Sequence, residues 1–345
     1  MITTDILIIG AGPCGLFTVF EAGLLKLRCH LVDSLGQPGG QLTEIYPKKP
    51  IYDIPGYPSV LAGELVDNLM EQIKPFNAGF TLGERAERLE KVGDKMYRLT
   101  TNRGTVIQAP VICIAAGLGC FEPRKPPIEN LETYEDNGVE YIIRDPEFYR
   151  GKRVVLAGGG DSALDWTIFL ADIAAEVTLI HRRKDFRGAL DSVEKVERLA
   201  ADGKIDLLTD AQAVGLRGEG KVTGVVVKHK ERGEFVKETD HFVPLFGLSP
   251  KLGPIAEWGL QVDKNAIEVD TADYSTGTPG IYAIGDINTY PGKLKLILCG
   301  FHEGTMAMQS AYKYMYPDKK LSFKYTTVNG IEGLPKEAEQ EQSVT

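Results

Sequence analysis

The stretch Asp5-Ile6-Leu7-Ile8-Ile9-Gly10-Ala11-Gly12-Pro13-Cys14-Gly15 sets a short apolar run directly before a GxGxxG turn. Arg153-Val154-Val155-Leu156-Ala157-Gly158-Gly159-Gly160-Asp161-Ser162-Ala163 repeats the pattern. Each run reads as a strand and each turn opens a segment that reads as a helix, the context that a dinucleotide-binding turn requires. Gly10 and Gly12, like Gly158 and Gly160, allow a tight turn and close approach of the backbone to a pyrophosphate. The third position, Gly15 or Ala163, has to stay small so that helix and strand can meet. Behind each turn a helix N-terminus offers free N–H groups and a positive dipole end. Two such turns imply two dinucleotides.

Glycine-rich turns are common, so the following strand decides what each one holds. After the first turn, Arg28 to Val32 ends in Asp33, placed to bond a ribose hydroxyl. After the second, Glu176 to Ile180 ends in His181 at the same offset from its glycines, followed by Arg182 and Arg183, with Arg187 extending the patch. A carboxylate repels a ribose 2′-phosphate, whereas guanidinium groups grip it through charge-assisted hydrogen bonds. The second site is therefore expected to prefer NADP over NAD.

The 345 residues are enough for two domains, and 43% hydrophobic with 25% charged residues is a globular composition. No apolar run is long enough to span a bilayer, and the first apolar run is too short for a signal-peptide core, so a cytoplasmic protein without membrane contact is expected. The net charge of −9 argues against nucleic acid as a partner. Cys14, Cys29, Cys113, Cys120 and Cys299 are scattered, with no CxxC pair and no metal-ligand spacing. Reduced thiols and no metal are expected, with Cys113 in the core and Cys14 a filler in the first turn. His302 reads as a packed or capping histidine.

Two glycine- and proline-rich stretches, 115–127 and 244–254, bracket the second turn and mark it as an inserted domain. The first domain resumes in Gly280 to Asp286, a short strand ending in Gly-Asp, and Gly304 to Tyr314 reads as the next helix. Strand-rich stretches at 95–116 and 221–245 read as hairpins with turns at 102–104 and 231–233. The predicted fold is α/β. It comprises two Rossmann-like, three-layer ββα nucleotide-binding domains, the second inserted in the first, each with a β-hairpin appendage. The expected boundaries are 1–117 with 248–330 for the first domain, 118–247 for the second, and a disordered tail over 331–345.

GAGPCGL at 10–16, GQPGGQL at 36–42, GGGDSALDW at 158–166, HRRKDFR at 181–187 and AIGD at 283–286 together resemble the two-domain flavoprotein family of thioredoxin reductase. Within it the chain is most similar to the thioredoxin-reductase-like ferredoxin–NADP reductases, through about residue 330. The resemblance implies FAD in the first domain, held by Gly10, Gly12, Pro13, Cys14, Gly15, Asp33, Gln41, Tyr46, Phe121, Asp286 and Thr326. It implies NADPH in the second, held by Gly158, Gly160, Asp161, Ser162, Ala163, His181, Arg182, Arg183 and Arg187. Asp286 would bond the ribityl chain. Tyr46 would stack on one flavin face and Tyr325, with Phe323 second, on the other face of the partner subunit's flavin, which implies a homodimer.

One departure selects the branch. Thioredoxin reductase carries a redox CxxC just before its second glycine turn, and no cysteine lies between Cys120 and Cys299 here. Electrons then have to leave the flavin directly. The implied reaction is hydride transfer between NADPH and flavin N5, then one-electron transfers between FAD and ferredoxin, with flavodoxin as a second acceptor of that type. No acid–base residue is required. Lys48, Lys49, Lys293 and Lys295 are candidates for docking an acidic ferredoxin. A quinone or small-molecule reductase or oxidase with the same cofactors, and a non-enzymatic NADPH-sensing flavoprotein, are the alternatives.

Overall fold

The computed structural model describes residues 1–119, 122–135, 137–249, 251–320, 330, 331, 333 and 334. The chain divides into two compact units, Met1–Cys120 with Pro250–Thr345, and Phe121–Ser249. The first unit is built on a five-stranded parallel sheet ordered Ile281–Ala283, Val111–Ile114, Ile6–Ile9, Cys29–Asp33, Gly79–Leu82. Ile6–Ile9 and Val111–Ile114 are buried on both faces, which is why they read as unbroken apolar runs rather than alternating ones. Ile6 and Ile8 pack with the helices Pro13–Leu24, Ala62–Ile73 and Ile297–Met315 on one face. Leu7 and Ile9 pack on the other with Leu99 and Ile107 of a second sheet. That sheet has four strands, ordered Ile2–Thr3, Val106–Ala109, Met96–Thr101, Ala86–Gly93, and completes a ββα sandwich.

Ala62–Ile73 buries Ala62, Leu65, Val66, Leu69 and Ile73, one stripe at helical spacing. Ile297–Met315 instead buries Gly300, Gly304, Ala307 and Ala311 besides Glu303 and Met308, and the glycines let it approach Pro13–Leu24 closely. A Cβ on Gly304 would lie 2.6 Å from Thr18 Oγ1 and one on Gly300 2.2 Å from Cys14 Sγ.

The second unit repeats the plan with four parallel strands, ordered Asp206–Leu208, Glu176–Ile180, Arg153–Ala157, His241–Pro244. Helices Asp161–Leu170 and Leu190–Ala201 follow its first two strands in sequence. An antiparallel meander, Ala211–Arg217, Gly224–His229 and Gly233–Glu238, packs on the sheet through Leu216, Val225 and Val227.

The appendages are larger than hairpins. Ala86–Gly93 and Ala211–Arg217 each add a third antiparallel strand. The far end of each expected hairpin, Val111–Ile114 or His241–Pro244, belongs to the parallel sheet. In the first case Pro110, which has no N–H to donate, separates the two roles.

Candidate functional site

Each glycine turn sits between a buried strand end and a helix that no side chain caps. In the first, Gly10 has φ +106°, and a Cβ there would stand 2.4 Å from Ala115 O. A Cβ on Gly15 would stand 2.1 Å from Gly10 O, so this third position admits only glycine. Gly12 is different: nothing lies within 4 Å of its ideal Cβ. The open position is the helix cap, followed by Pro13 at the first helical residue, where the first N–H groups have no side-chain acceptor.

Asp33 closes the other side. Its carboxylate accepts the N–H of Ala11 at 2.7 Å and of Leu35 at 2.8 Å, one on each oxygen. Burial raises its pKa above the ordinary carboxylate value against the opposing effect of those two bonds. Each oxygen keeps a lone pair for a ribose hydroxyl. The Gly36–Leu42 segment crosses the same turn: Gly39 N–H donates to Ala11 O at 2.8 Å, and a Cβ on Gly40 would meet Gly12 Cα at 3.1 Å. Gln41 follows at the start of a one-turn helix, its side-chain amide 3.5 Å from the ideal Cβ of Gly117.

Tyr46 and Asp286 are close enough for their charges to interact. Burial pushes the Tyr46 phenol up to about 12, with Asp286 and Asp53 adding to it. Burial likewise raises Asp286, against the cations Lys295 and Lys293. The Asp286 carboxylate accepts no hydrogen bond among the described residues. A half-buried carboxylate with open lone pairs suits a polyol chain.

In the second turn a Cβ on Gly158 would lie 2.6 Å from Leu245 O, and Gly160, the helix cap, has nothing within 4 Å. Ala163 occupies the third position, fully buried. At the place of Asp33 the buried His181 ring lies against Gly159, where a Cβ would come within 2.0 Å of it. His181 stacks on Phe186, ring centroids 4.7 Å apart, and its Nε2 pairs with Asp185 O at 3.1 Å. Burial lowers its pKa against the opposing Asp185 and Gly158 carbonyls, with the charges of Arg182 and Arg187 adding, so the ring is neutral at neutral pH. The loop folds back over the turn: Arg187 N–H donates to Gly159 O at 2.8 Å and Ala189 N–H to Asp161 Oδ1 at 2.7 Å. Arg182, Arg183 and Arg187 are exposed, and none has an ion-pair partner among the described residues. Ser162 is exposed on the first helical turn.

The sequence matches the pyridine nucleotide-disulphide oxidoreductase family over residues 4–313. The chain belongs to that family. It is 68% identical over 347 residues to ferredoxin–NADP reductase 1 of Christiangramia forsetii, covering 99% of this chain and 98% of that one. It is 65% identical over 336 residues to a ferredoxin–NADP reductase of Flavobacterium johnsoniae, covering 97% and 95%. The solved thioredoxin reductase of Lactococcus lactis superposes with a TM-score of 0.78 at 25% identity, over 91% of this chain and 99% of that one.

Two features of this family member correct or extend the sequence reading. Lys293 is no docking lysine: its side chain is 7% exposed and its Nζ donates to Glu303 Oε1. Glu303, which the sequence reading missed, is wholly buried and accepts from Gly285 N–H at 2.7 Å, Asn288 Nδ2 at 2.9 Å and Tyr290 OH at 2.8 Å as well. It therefore fixes the turn that carries Asp286. The only sequence signal was an acidic residue inside a stripe of small buried residues, with its lysine ten positions earlier and no periodicity linking them. Cys14 wedges between Gly285 and Gly300, and burial pushes its thiol up to about 12, an inert packing group.

Lys48 and Lys295 are exposed, and Lys49 lies over the Tyr46 ring with Nζ 5.8 Å from its centroid. His302 is exposed, edge-on to Tyr274 at 6.3 Å. Phe121, Phe323, Tyr325 and Thr326 lie outside the described residues, as do Cys120 and, except for Ile331, Gly333 and Leu334, the tail 331–345. No helix among the described residues is long and apolar enough to cross a membrane, and no group of metal-binding side chains occurs among them.

Proposed function

We propose that this chain is a cytoplasmic ferredoxin–NADP reductase, holding FAD on its first glycine turn and NADPH on its second. One contrast carries the reading. The first turn ends against the Asp33 carboxylate and the second against His181, followed by three arginines with no ion-pair partner among the described residues, while no cysteine lies between Cys120 and Cys299. The relatives' printed names support the same reaction.

When bound, FAD accepts a hydride from NADPH and releases electrons singly to the iron–sulfur cluster of ferredoxin. The protein's part is placement. Gly12 and Gly160 leave room for the pyrophosphates at the two helix ends, Asp33 accepts from the adenosine ribose, and Asp286 accepts from the ribityl hydroxyls. Tyr46 supplies a flat apolar face for the flavin ring, with Lys49 beside it. Arg182, Arg183 and Arg187 select the 2′-phosphate, and the neutral His181 holds their loop against Gly159. On the family resemblance, Tyr325, with Phe323 second, would stack on the other face of the partner subunit's flavin in a homodimer, and Thr326 and Phe121 would join the flavin set. Lys48, Lys49 and Lys295 provide a locally basic face for an acidic ferredoxin, or a flavodoxin, on an acidic chain.

Anaerobic mixing of the purified protein with NADPH, followed by ferredoxin, tests this. Rapid bleaching of an FAD spectrum and its return on adding oxidised ferredoxin are expected. Bleaching that only quinones or oxygen reverse would assign a small-molecule reductase, and absence of bleaching would assign a sensor.

A further inference from the structure

Glu303 and Lys293 form an ion pair shut off from solvent, one residue away from the carboxylate expected to hold the flavin chain. Glu303 spends both oxygens: Oε2 accepts from Gly285 N–H and Asn288 Nδ2, Oε1 from Tyr290 OH and Lys293 Nζ. Asn288 is fully buried and cannot turn its amide over, because Nδ2 also donates to Ala283 O at 2.9 Å; its Oδ1 is left with no partner. Tyr290 is held in turn against Tyr274, ring centroids 5.8 Å apart. The arrangement is overdetermined and polar where a helix face otherwise buries glycine, alanine and methionine.

Its reach is electrostatic as well as mechanical. Asp286 is affected by Lys295, Lys293 and Glu303, and Cys14 in the first glycine turn by Asp286, Glu303 and Lys293. Water and salt screen charges in such surroundings poorly. With Glu303 and Lys293 both charged, their fields nearly cancel at a distance.

We infer that the Lys293–Glu303 pair is a positioning and charge-balancing device that keeps either buried charge from shifting the reduction potential of the flavin held at the Asp286 turn. The inference rests on the FAD assignment above. Two-electron reduction makes a flavin more negative, so a lone buried cation beside it favours the reduced form and a lone buried anion disfavours it. Glu303→Gln keeps the side-chain shape and leaves Lys293 uncompensated. Lys293→Met leaves Glu303 uncompensated. The charged groups facing it are Lys293 and Asp286, and the neutral titratable ones are Cys14, Tyr290 and Tyr274.

Redox titration of the purified holoprotein with indicator dyes tests the inference. Glu303→Gln is expected to raise the flavin midpoint potential. Lys293→Met is expected to lower it, and the double variant should return toward the wild-type value. A purely structural role moves thermal stability in both single variants and gives no reversal of sign. Shifts of the same sign, no shift, or a double variant no nearer wild type than the single ones would overturn the inference. If Glu303→Gln fails to retain FAD, Lys293→Met and the double variant decide, and a Lys293→Met potential at or above wild type overturns it. A wild-type protein that carries no FAD contradicts the site assignment instead.

Discussion

The two glycine turns use the same backbone and finish it in opposite ways. In the first, the short carboxylate of Asp33 reaches past a Cβ to the N–H of Ala11. In the second, the His181 ring lies where that Cβ would be, so the residue after the first glycine has to be Gly159. The third position shows the reverse asymmetry, with room for Ala163 but none for a methyl on Gly15. The ring that ends the next strand therefore dictates the glycine at 159, whereas the glycine at 15 is dictated by the turn's own backbone.

The largest effect should come from giving the first turn the third residue of the second. Gly15→Ala would set a methyl 2.1 Å from a backbone oxygen that cannot rotate away. Overpacking of this kind costs about 1–3 kcal/mol or more. The unfolding temperature and flavin content should both fall, and a variant with normal stability and full FAD would show that the third position of the first turn tolerates a methyl after all.

Next come the arginines. Losing either Arg182 or Arg183 to alanine should weaken NADPH binding by about 1.5–3 kcal/mol, the worth of a hydrogen bond to a charged group, or roughly ten- to more than a hundredfold. NADH binding should barely change. Titration of each coenzyme separates selection from a structural role, which would weaken both alike. Gly159→Ala makes a related test without touching a charge. By displacing the His181 ring it should unseat the arginine loop and reduce the preference for NADPH over NADH by about tenfold, or 1.4 kcal/mol. Ala11→Gly in the first turn should leave the NADPH preference unchanged.

The smallest effect is on pH. Burial lowers the pKa of His181 and of His30, whose ring occludes Gly79 in the first unit just as His181 occludes Gly159. Such rings fold neutral, so the unfolded state binds protons more readily and stability rises with pH through this window. Their contribution is full above the ordinary histidine pKa and is lost as pH falls from there through the lowered folded values. Replacing either ring by phenylalanine should flatten part of the acid limb of a stability–pH curve, while an unaltered limb in both variants would remove histidine from its cause.

Much of this was legible because strand, turn and helix are neighbours in sequence. Arg153–Ala157 and Glu176–Ile180 form strands over the residues their apolar runs mark, and Asp33 and His181 stand at matching offsets. The third meander strands were not legible. Ala86–Gly93 and Ala211–Arg217 are half exposed and carry bulges, so neither shows clean alternation. Lys293 read as a surface charge because lysines seldom lie buried unless paired, and its partner Glu303 is joined to it only by the fold.

The proposed route carries electrons from NADPH through the flavin to a one-electron acceptor without thiol chemistry. Its most direct test is NADPH-driven ferredoxin reduction by a variant in which Cys14, Cys29, Cys113, Cys120 and Cys299 are all replaced by serine or alanine and FAD is retained. The reaction is expected to continue, since Cys29 and Cys113 are buried and Cys14 is half-buried, with all three thiol pKa values pushed far above neutrality. A variant that keeps its flavin and still bleaches with NADPH, yet no longer reduces ferredoxin, would contradict that route.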